Sequence, residues 1–187
     1  YAQCELEGAN EHQVEESQKA VAKMEVIIGD PDRLRAVAED FIKHYETRVA
    51  EGATVAGKAM FVCSNRNIAY DFYKIVKELR PKWTEKKICD DGVVLSEKDK
   101  KELKPMEKIK LVMTRNKDDE KDLFDMLGTK EDRKEFDRQF KNPKSNFKIA
   151  IVVDMWLTGF DVPELDTIYI DKPLSLIHIS EPTRRTP

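Results

Sequence analysis

The stretch Ile149-Ala-Ile-Val-Val-Asp-Met-Trp-Leu-Thr-Gly-Phe-Asp161 decides the fold of this chain. Its first five residues form an apolar run that predicts a buried parallel strand, and a second such run follows at 167–170. The loop between the two runs contains Gly159 and has a carboxylate at each end. Open α/β sheets bind their ligands at the carboxyl ends of the strands, and a glycine lets a phosphate or ribose approach the backbone. The sequence therefore predicts a ligand site in this loop.

The patterns on either side of this stretch predict an α/β protein. Apolar runs predict further strands at 59–63 and 109–113, and the strand before the loop at 147–153. Helices are predicted at about 11–28, 31–50, 66–80, 119–127 and 130–141, with a short one after Ser96 whose spacing to Asp99 resembles a capping box. Asp30 and Pro31 are the N-cap and first residue of the second helix. Strands separated by helices predict a parallel sheet with right-handed crossovers.

Helical periodicity also predicts which faces of the first two helices are buried. The predicted buried residues are Val14, Ala20, Val21, Met24, Ile27 and Ile28 in the first helix, and Leu34, Val37, Ala38, Phe41, Ile42 and Tyr45 in the second.

Composition indicates a charge-rich globular protein, because 40% of its 187 residues are hydrophobic and 37% are charged. No apolar stretch approaches the roughly 20 residues that span a membrane, and no signal-peptide pattern begins the chain. The three cysteines have no CxxC spacing, which favours reduced thiols over disulfides or a zinc site. We therefore expect a cytoplasmic protein with no membrane partner. Because the chain begins with Tyr1, we also expect it to be a fragment of a longer protein.

The net charge of −3 hides a basic middle region. Residues 58–148 carry 24 lysines and arginines against 18 acidic residues, whereas residues 1–57 carry 6 against 12. This distribution is compatible with a surface for the phosphate backbone of nucleic acid, and equally with a solvated lysine-rich face.

The segment Gly52-Ala-Thr-Val-Ala-Gly-Lys58 fits the phosphate-loop pattern G-x-x-x-x-G-K, but its context excludes that function. The next residue is Ala59, so the hydroxyl that would bind magnesium is missing. The segment also follows a predicted helix and precedes a predicted strand, which is the reverse of the order that a phosphate loop requires.

Taken in order, five segments resemble the second RecA-like motor domain of the restriction subunit (HsdR) of type I restriction–modification enzymes, members of helicase superfamily 2. The segments are Lys58–Arg66, Lys110–Thr114, Phe140–Pro143, Lys148–Pro163 and Tyr169–Pro173. The resemblance covers about residues 12–173 and is most specific at 154–161. It implies a RecA-like parallel sheet flanked by helices over residues 58–173, with residues 1–57 as a helical connector from a first motor domain.

The resemblance implies that the parent protein is an ATP-driven translocase of double-stranded DNA joined to an endonuclease. Its partners would be the methylation and specificity subunits. ATP and Mg²⁺ would be held mainly by the first motor domain, so we expect this chain alone to be inactive. No residue of the chain is assigned to catalysis or to a metal.

The resemblance also implies roles for single residues. Gly159 and Asp161 would bind nucleotide, with Asp161 near the ribose hydroxyls. The residues that would contact DNA, through helicase motifs IV and V and the end of the second strand, are Ser64, Asn65, Arg66, Thr114, Asp154 and Thr158. Arg115 is a further phosphate-contact candidate. The alternatives are a plain helix N-cap at 64–66 and a turn without contacts at 114–115. Trp156 stacks on a base or, in the alternative, is buried in the loop.

After Pro173 the resemblance to the family ends. Residues 174–187 look like the conceptual translation of a sequencing-library adapter, so we expect a non-native tail. Arg184 and Arg185 are then not an arginine finger, and His178 is not a ligand. An alternating strand with a real function is the competing interpretation.

Two other functions stay open at this point. One is another superfamily 2 helicase or repair translocase, which an upstream repair domain in place of a nuclease would indicate. The other is a non-catalytic DNA-binding module with a RecA-like fold, which the absence of any phosphate-loop domain from the full gene would indicate.

Overall fold

The computed structural model describes residues 11–153, Val162 and residues 164–172. The chain forms helices α1 (Glu11–Ile28) and α2 (Pro31–Ala50), then strand β1 (Lys58–Cys63) and helix α3 (Arg66–Leu79). A 3₁₀ turn (Pro81–Thr84), helix α4 (Glu97–Glu102) and strand β2 (Ile109–Val112) follow. Helices α5 (Lys121–Leu127) and α6 (Lys130–Lys141) lead to strands β3 (Ile149–Val153) and β4 (Leu165–Asp171). Each predicted helix and strand is present, although β3 begins two residues later than predicted.

The strands form one parallel sheet in the order β2-β3-β1-β4. All six residues of β1 are buried, because this strand has a neighbour on each side and side chains packed on both faces. The fold is thus a RecA-like α/β sheet flanked by helices.

The first face of the sheet is covered by α2, α3 and α5. Phe61 of β1 stacks on Phe72 of α3 with ring centroids 3.9 Å apart, and Phe41 of α2 meets Phe61 edge-on at 5.2 Å. The second face has its own apolar cluster, in which Phe140 of α6 packs against Phe147. Burial of these large side chains is the main force that holds the helices on the sheet.

Local signals set the starts of two helices, as the sequence predicts, and the start of one strand. The Asp30 side chain accepts a hydrogen bond from the Arg33 backbone N–H at 3.0 Å, and Pro31 begins α2. Ser96 and Asp99 form a complete capping box at the start of α4. Gly57 adopts a φ of +67°, a left-handed conformation that favours glycine, where the loop turns into β1.

The prediction for the buried face of α1 is wrong. Of its predicted core residues only Ile28 is buried, whereas Val21 is 57%, Met24 47% and Ile27 58% exposed. The periodicity identified an apolar stripe correctly, but none of the described elements covers that stripe. In α2 the same reasoning succeeds, because five of the six predicted residues are buried and Val37 packs against the core. Among the described residues, the structure contains no helix that could span a lipid bilayer.

Candidate functional site at the carboxyl edge of the sheet

The ends of β1, β3 and β4 lie side by side at one edge. Cys63, the last residue of β1, pairs in register with Val153 on one side and Asp171 on the other. β2 runs in the same direction beside β3. The segments that follow β1 and β2 therefore leave the sheet at the same edge, as the prediction of a ligand site requires. Four predicted site residues, Asp154, Thr158, Gly159 and Asp161, lie outside the described residues, as do Trp156 and the segment from 173 onward.

Ser64 and Asn65 both make internal hydrogen bonds. The Ser64 hydroxyl donates to the backbone oxygen of Asp171 at 3.2 Å, which ties the end of β1 to the end of β4. The Asn65 side-chain oxygen accepts from the backbone N–H of Ile68 at 2.9 Å, so Asn65 is the N-cap of α3. The Asn65 contact fits the helix-cap interpretation, and DNA contact by both residues stays a prediction.

Arg66 joins the start of α3 to the loop after β2. Its guanidinium donates to the backbone oxygen of Thr114 at 2.6 Å and to both carboxylate oxygens of Asp119 at 2.7 Å. The Arg66 side chain remains 27% exposed, whereas that of Asp119 is 8% exposed. The Arg66 side chain is therefore partly exposed at the sheet edge, but most donors of its guanidinium are already used within the fold.

Asp119 is the acidic partner that the sequence did not reveal. It also accepts a hydrogen bond from the backbone N–H of Asn116 at 2.7 Å, which closes the loop 114–119. Burial would raise the pKa of the Asp119 carboxyl, but the Asn116 N–H and the Arg66 guanidinium outweigh burial and lower this pKa. The carboxylate is therefore held ionised, and it fixes Arg66 in one orientation.

Thr114 and Arg115 follow β2 at the same edge. Thr114 contributes its backbone oxygen to the Arg66 contact. The Arg115 guanidinium lies 4.2 Å from the centre of the Phe124 ring, a cation–π arrangement that holds it against α5. The Nε atom of Arg115 is buried and lacks a hydrogen-bond partner among the described residues. Phosphate contact by either residue stays a prediction.

A second ion pair at this edge links α2 to β4. The Arg33 guanidinium forms a two-point ion pair with the Asp171 carboxylate and also donates to the backbone oxygen of Ile28 at 2.9 Å. Because the Asp171 backbone oxygen also accepts from Ser64, α2 is linked to the end of the edge strand β4 and, through it, to the end of the central strand β1. Asp171 lies in the segment Tyr169–Pro173 that resembles the family, but nothing in the sequence indicates its pairing with Arg33.

Two other features limit the chemistry of this edge. Burial raises the pKa of the Cys63 thiol far above its usual value, with a smaller contribution from Asp171, so Cys63 is no nucleophile at neutral pH. Within residues 11–153, 162 and 164–172, no group of three His, Cys, Asp or Glu side chains is arranged to hold a metal ion.

The segment that fits the phosphate-loop pattern lies at the opposite edge of the sheet. Gly52–Gly57 connects α2 to the start of β1, and the buried Lys58 ammonium donates to the backbone oxygen of Phe147. The structure confirms that this segment does not open a helix, as a phosphate loop must.

A parallel sheet of this order, with its capped helix and arginine-bearing loop at the carboxyl edge, defines the class of RecA-like α/β domains. The chain belongs to the family of type I restriction enzyme R subunits: the model of domain 3 of that subunit matches residues 55–186. The match extends through the segment predicted to be non-native, and the origin of that segment stays a prediction.

Two relatives found by sequence comparison have names that belong to the same family. The HindI endonuclease subunit of Haemophilus influenzae, a type I restriction enzyme, is 34% identical over 160 residues, which are 86% of this chain and 13% of that protein. The putative MjaIXP endonuclease subunit of Methanocaldococcus jannaschii is 36% identical over 168 residues, 89% of this chain and 14% of that protein. The chain thus spans about one seventh of these relatives. No solved structure matches it significantly.

Proposed function

We propose that this chain is the second RecA-like motor domain of an ATP-dependent, DNA-translocating subunit of a type I restriction endonuclease. In this proposal the carboxyl edge of the sheet forms one wall of a cleft for ATP and double-stranded DNA. The observation that supports it most is the register of Cys63 with Val153. That register aligns the strand before Ser64–Arg66 with the strand that directly precedes the loop containing Gly159 and Asp161.

The groups at the described edge fit half of a nucleotide site. The guanidinium groups of Arg66 and Arg115 can contact phosphate oxygens, as can the Ser64 hydroxyl. The described residues offer neither a phosphate loop nor an acidic cluster for Mg²⁺. ATP with Mg²⁺ would therefore be bound mainly by another motor domain, and this one would contribute contacts to the ribose and to charge on the phosphates.

The macromolecular partners that we propose are based on the names of the relatives. Their names describe type I restriction endonuclease subunits, which favours this proposal over a repair translocase or a non-catalytic module. Double-stranded DNA and the methylation and specificity subunits are the partners we propose. The parent would have ATPase and endonuclease activity, with the nuclease residues outside this chain.

The nucleotide role is tested by Asp161→Ala in the longer protein that includes the first motor domain. Loss of hydrogen bonds from the ribose to a carboxylate should lower kcat/KM for DNA-stimulated ATP hydrolysis about 10- to 100-fold. Asp91→Ala is the matched control, because that carboxylate is 94% exposed and forms an exposed surface pair with Lys87. Unchanged kinetics of Asp161→Ala, with Asp91→Ala also unchanged, would contradict the nucleotide role.

The DNA role is tested by the salt dependence of duplex binding. Binding should be independent of sequence and should weaken as salt rises, because phosphate contacts release counterions. Arg115→Gln should reduce the slope of log K against log salt by about 1, whereas Lys101→Gln on α4 should not change it. Retention of one base sequence at high salt would point to a different kind of DNA-binding protein.

A further inference from the structure

A row of lysines lies at the amino edge of the sheet, at the opposite ends of the strands from the candidate site. Lys58 begins β1, Lys108 directly precedes β2 and Lys148 directly precedes β3. The register shows that they are neighbours, because Ala59 and Ile109 both pair with Ile149. Three adjacent strands therefore begin with a cation. Burial of an ammonium group destabilises the folded state, so packing of the core alone does not account for this row of lysines.

A pocket of about 320 Å³ opens beside two of these lysines. Its walls are the end of α2, the loop before β1, the loop around Asp90 and the segment 143–148. Tyr45 and Gly57 form one side and are joined by a hydrogen bond of 2.7 Å from the Tyr45 hydroxyl to the Gly57 backbone oxygen. Lys108, Lys144 and Lys148 supply the positive charge. The pocket is large enough for a phosphate ion or a small organic acid.

The acidic groups around this pocket leave two of its lysines incompletely neutralised. The Lys148 side chain is only 8% exposed, and its ammonium donates to the Pro143 backbone oxygen at 3.0 Å and lies 3.7 Å from Asp90. The Lys108 ammonium lies 5.6 Å from the Tyr45 ring centre and 5.3 Å from that of Trp83. Among the described residues that line the pocket, Asp90 has the carboxylate, and a second carboxylate, that of Asp166, accepts a hydrogen bond from the backbone N–H of Val55 in the pocket wall at 3.3 Å.

The other charged groups near the pocket do not complete the neutralisation of Lys108 and Lys148. Lys144 is paired with Asp99 at 2.6 Å, and Glu46, which attracts Lys108, is already bound to Arg80. Burial lowers the pKa of Lys108 and of Lys148 more than attraction by Asp90 raises either pKa, and repulsion by Lys108 lowers that of Lys148 further. Both ammonium groups would therefore gain from an added negative charge.

We propose that this pocket is a binding site for a small oxyanion, a phosphate or carboxylate group held between Lys108 and Lys148. An oxyanion would accept hydrogen bonds from both ammonium groups, and Tyr45 and Gly57 would limit its size. The site is separate from the cleft of the proposed function, because it lies at the other end of the strands. Its ligand is therefore not the nucleotide of that cleft.

The test uses the whole chain, labelled with ¹³C at the lysine ε-carbons and titrated with inorganic phosphate at constant ionic strength. The NMR signals of Lys108 and Lys148 should shift along saturable curves. Signals of Lys101 and of Lys121, which begins α5 near the other edge, should not. A parallel titration with acetate distinguishes the ligands: saturation by both ions indicates a general oxyanion site, and saturation by phosphate alone indicates a site for phosphoryl groups.

The phosphate affinity of lysine variants provides a second test of the site. Lys148→Met should weaken phosphate binding at least tenfold, and Lys101→Met, at an exposed position on α4, should leave it unchanged. If Lys148→Met fails to fold, Lys108→Met tests the same site from the second lysine. Linear shifts without saturation, saturation only at Lys121, or unchanged affinity in a folded Lys148→Met or Lys108→Met variant would overturn the proposal.

Discussion

Asp119→Asn should destabilise the fold because it removes the charge that fixes Arg66. The carboxylate accepts two hydrogen bonds from Arg66 and one from the Asn116 backbone N–H, all at 2.7 Å. Hydrogen bonds to charged groups contribute about 1.5–3 kcal/mol each when buried. The Arg66 side chain is 27% exposed, so solvent weakens the pair, and the amide retains part of the bonding. We expect the free energy of unfolding to fall by about 1–2 kcal/mol.

The assay is urea unfolding of the wild type, Asp119→Asn, Arg66→Met and the double variant at pH 7. The double-mutant cycle should give a coupling energy of about 1 kcal/mol, because each single change removes the same ion pair. The folded-state pKa of Asp119 is lowered, so its contribution is complete above the unfolded-state pKa and is lost as the pH falls through the folded-state value. The difference between wild type and Asp119→Asn should therefore shrink below about pH 4.

A coupling energy near zero would refute this account of Arg66, as would a difference that persists unchanged at pH 2. The same variants separate the two interpretations of Arg66. If Arg66 contacts DNA, Arg66→Met should weaken duplex binding while Asp119→Asn, which keeps the cation, should not. If Arg66 only fixes the loop, the two variants should affect DNA binding to the same extent.

Three further outcomes are expected. Arg33→Met should lower the free energy of unfolding by about 1–2 kcal/mol in urea, because it cuts the link to Asp171, and Arg35→Met, which loses only exposed pairs of 3.5–3.6 Å, should change it by less than about 0.5 kcal/mol. Equal effects of both changes would contradict the importance of the Asp171 link. The isolated chain should show no magnesium-dependent ATP hydrolysis in a phosphate-release assay, and measurable turnover would contradict the two-domain account. Under native conditions a thiol reagent at pH 8 should label Cys63 much more slowly than Cys89, because Cys63 is buried and burial raises its pKa, and comparable rates by mass spectrometry would show that β1 opens readily.

Local signals in the sequence were sufficient to locate the helices and strands. Apolar runs located the four strands, and Asp30, Pro31 and Ser96 located helix starts correctly. The order β2-β3-β1-β4 was not predictable in the same way, because it depends on which apolar strands meet in the folded chain. The exposed stripe on α1 shows the same limit, since periodicity identifies an apolar face but not what covers it.

The contact partners of the candidate-site residues were harder to predict from the sequence than the helices and strands. Sequence reasoning placed Ser64–Arg66 and Thr114 at one edge, and the register of the strands agrees. It could not supply their partners, because Arg66 and Asp119 are 53 residues apart and Arg33 and Asp171 are 138 residues apart. Ion pairs between such distant residues have no periodicity or spacing that a single sequence displays. The amino-edge lysines directly precede or begin three apolar runs in the sequence, but only the register of the strands shows that they are neighbours.

The central position of β1 has a consequence for synthesis on the ribosome. Its two neighbours begin only at Ile149 and Leu165, so the six residues of β1 emerge long before either partner strand. At usual elongation rates the delay before β3 is complete is roughly 5–20 s. During that interval the apolar segment of β1 has neither of its partner strands, β3 and β4, to pair with. Such a segment is a binding site for chaperones. Co-translational folding of this protein should therefore depend on chaperones more than that of a protein whose sheet is built from consecutive hairpins.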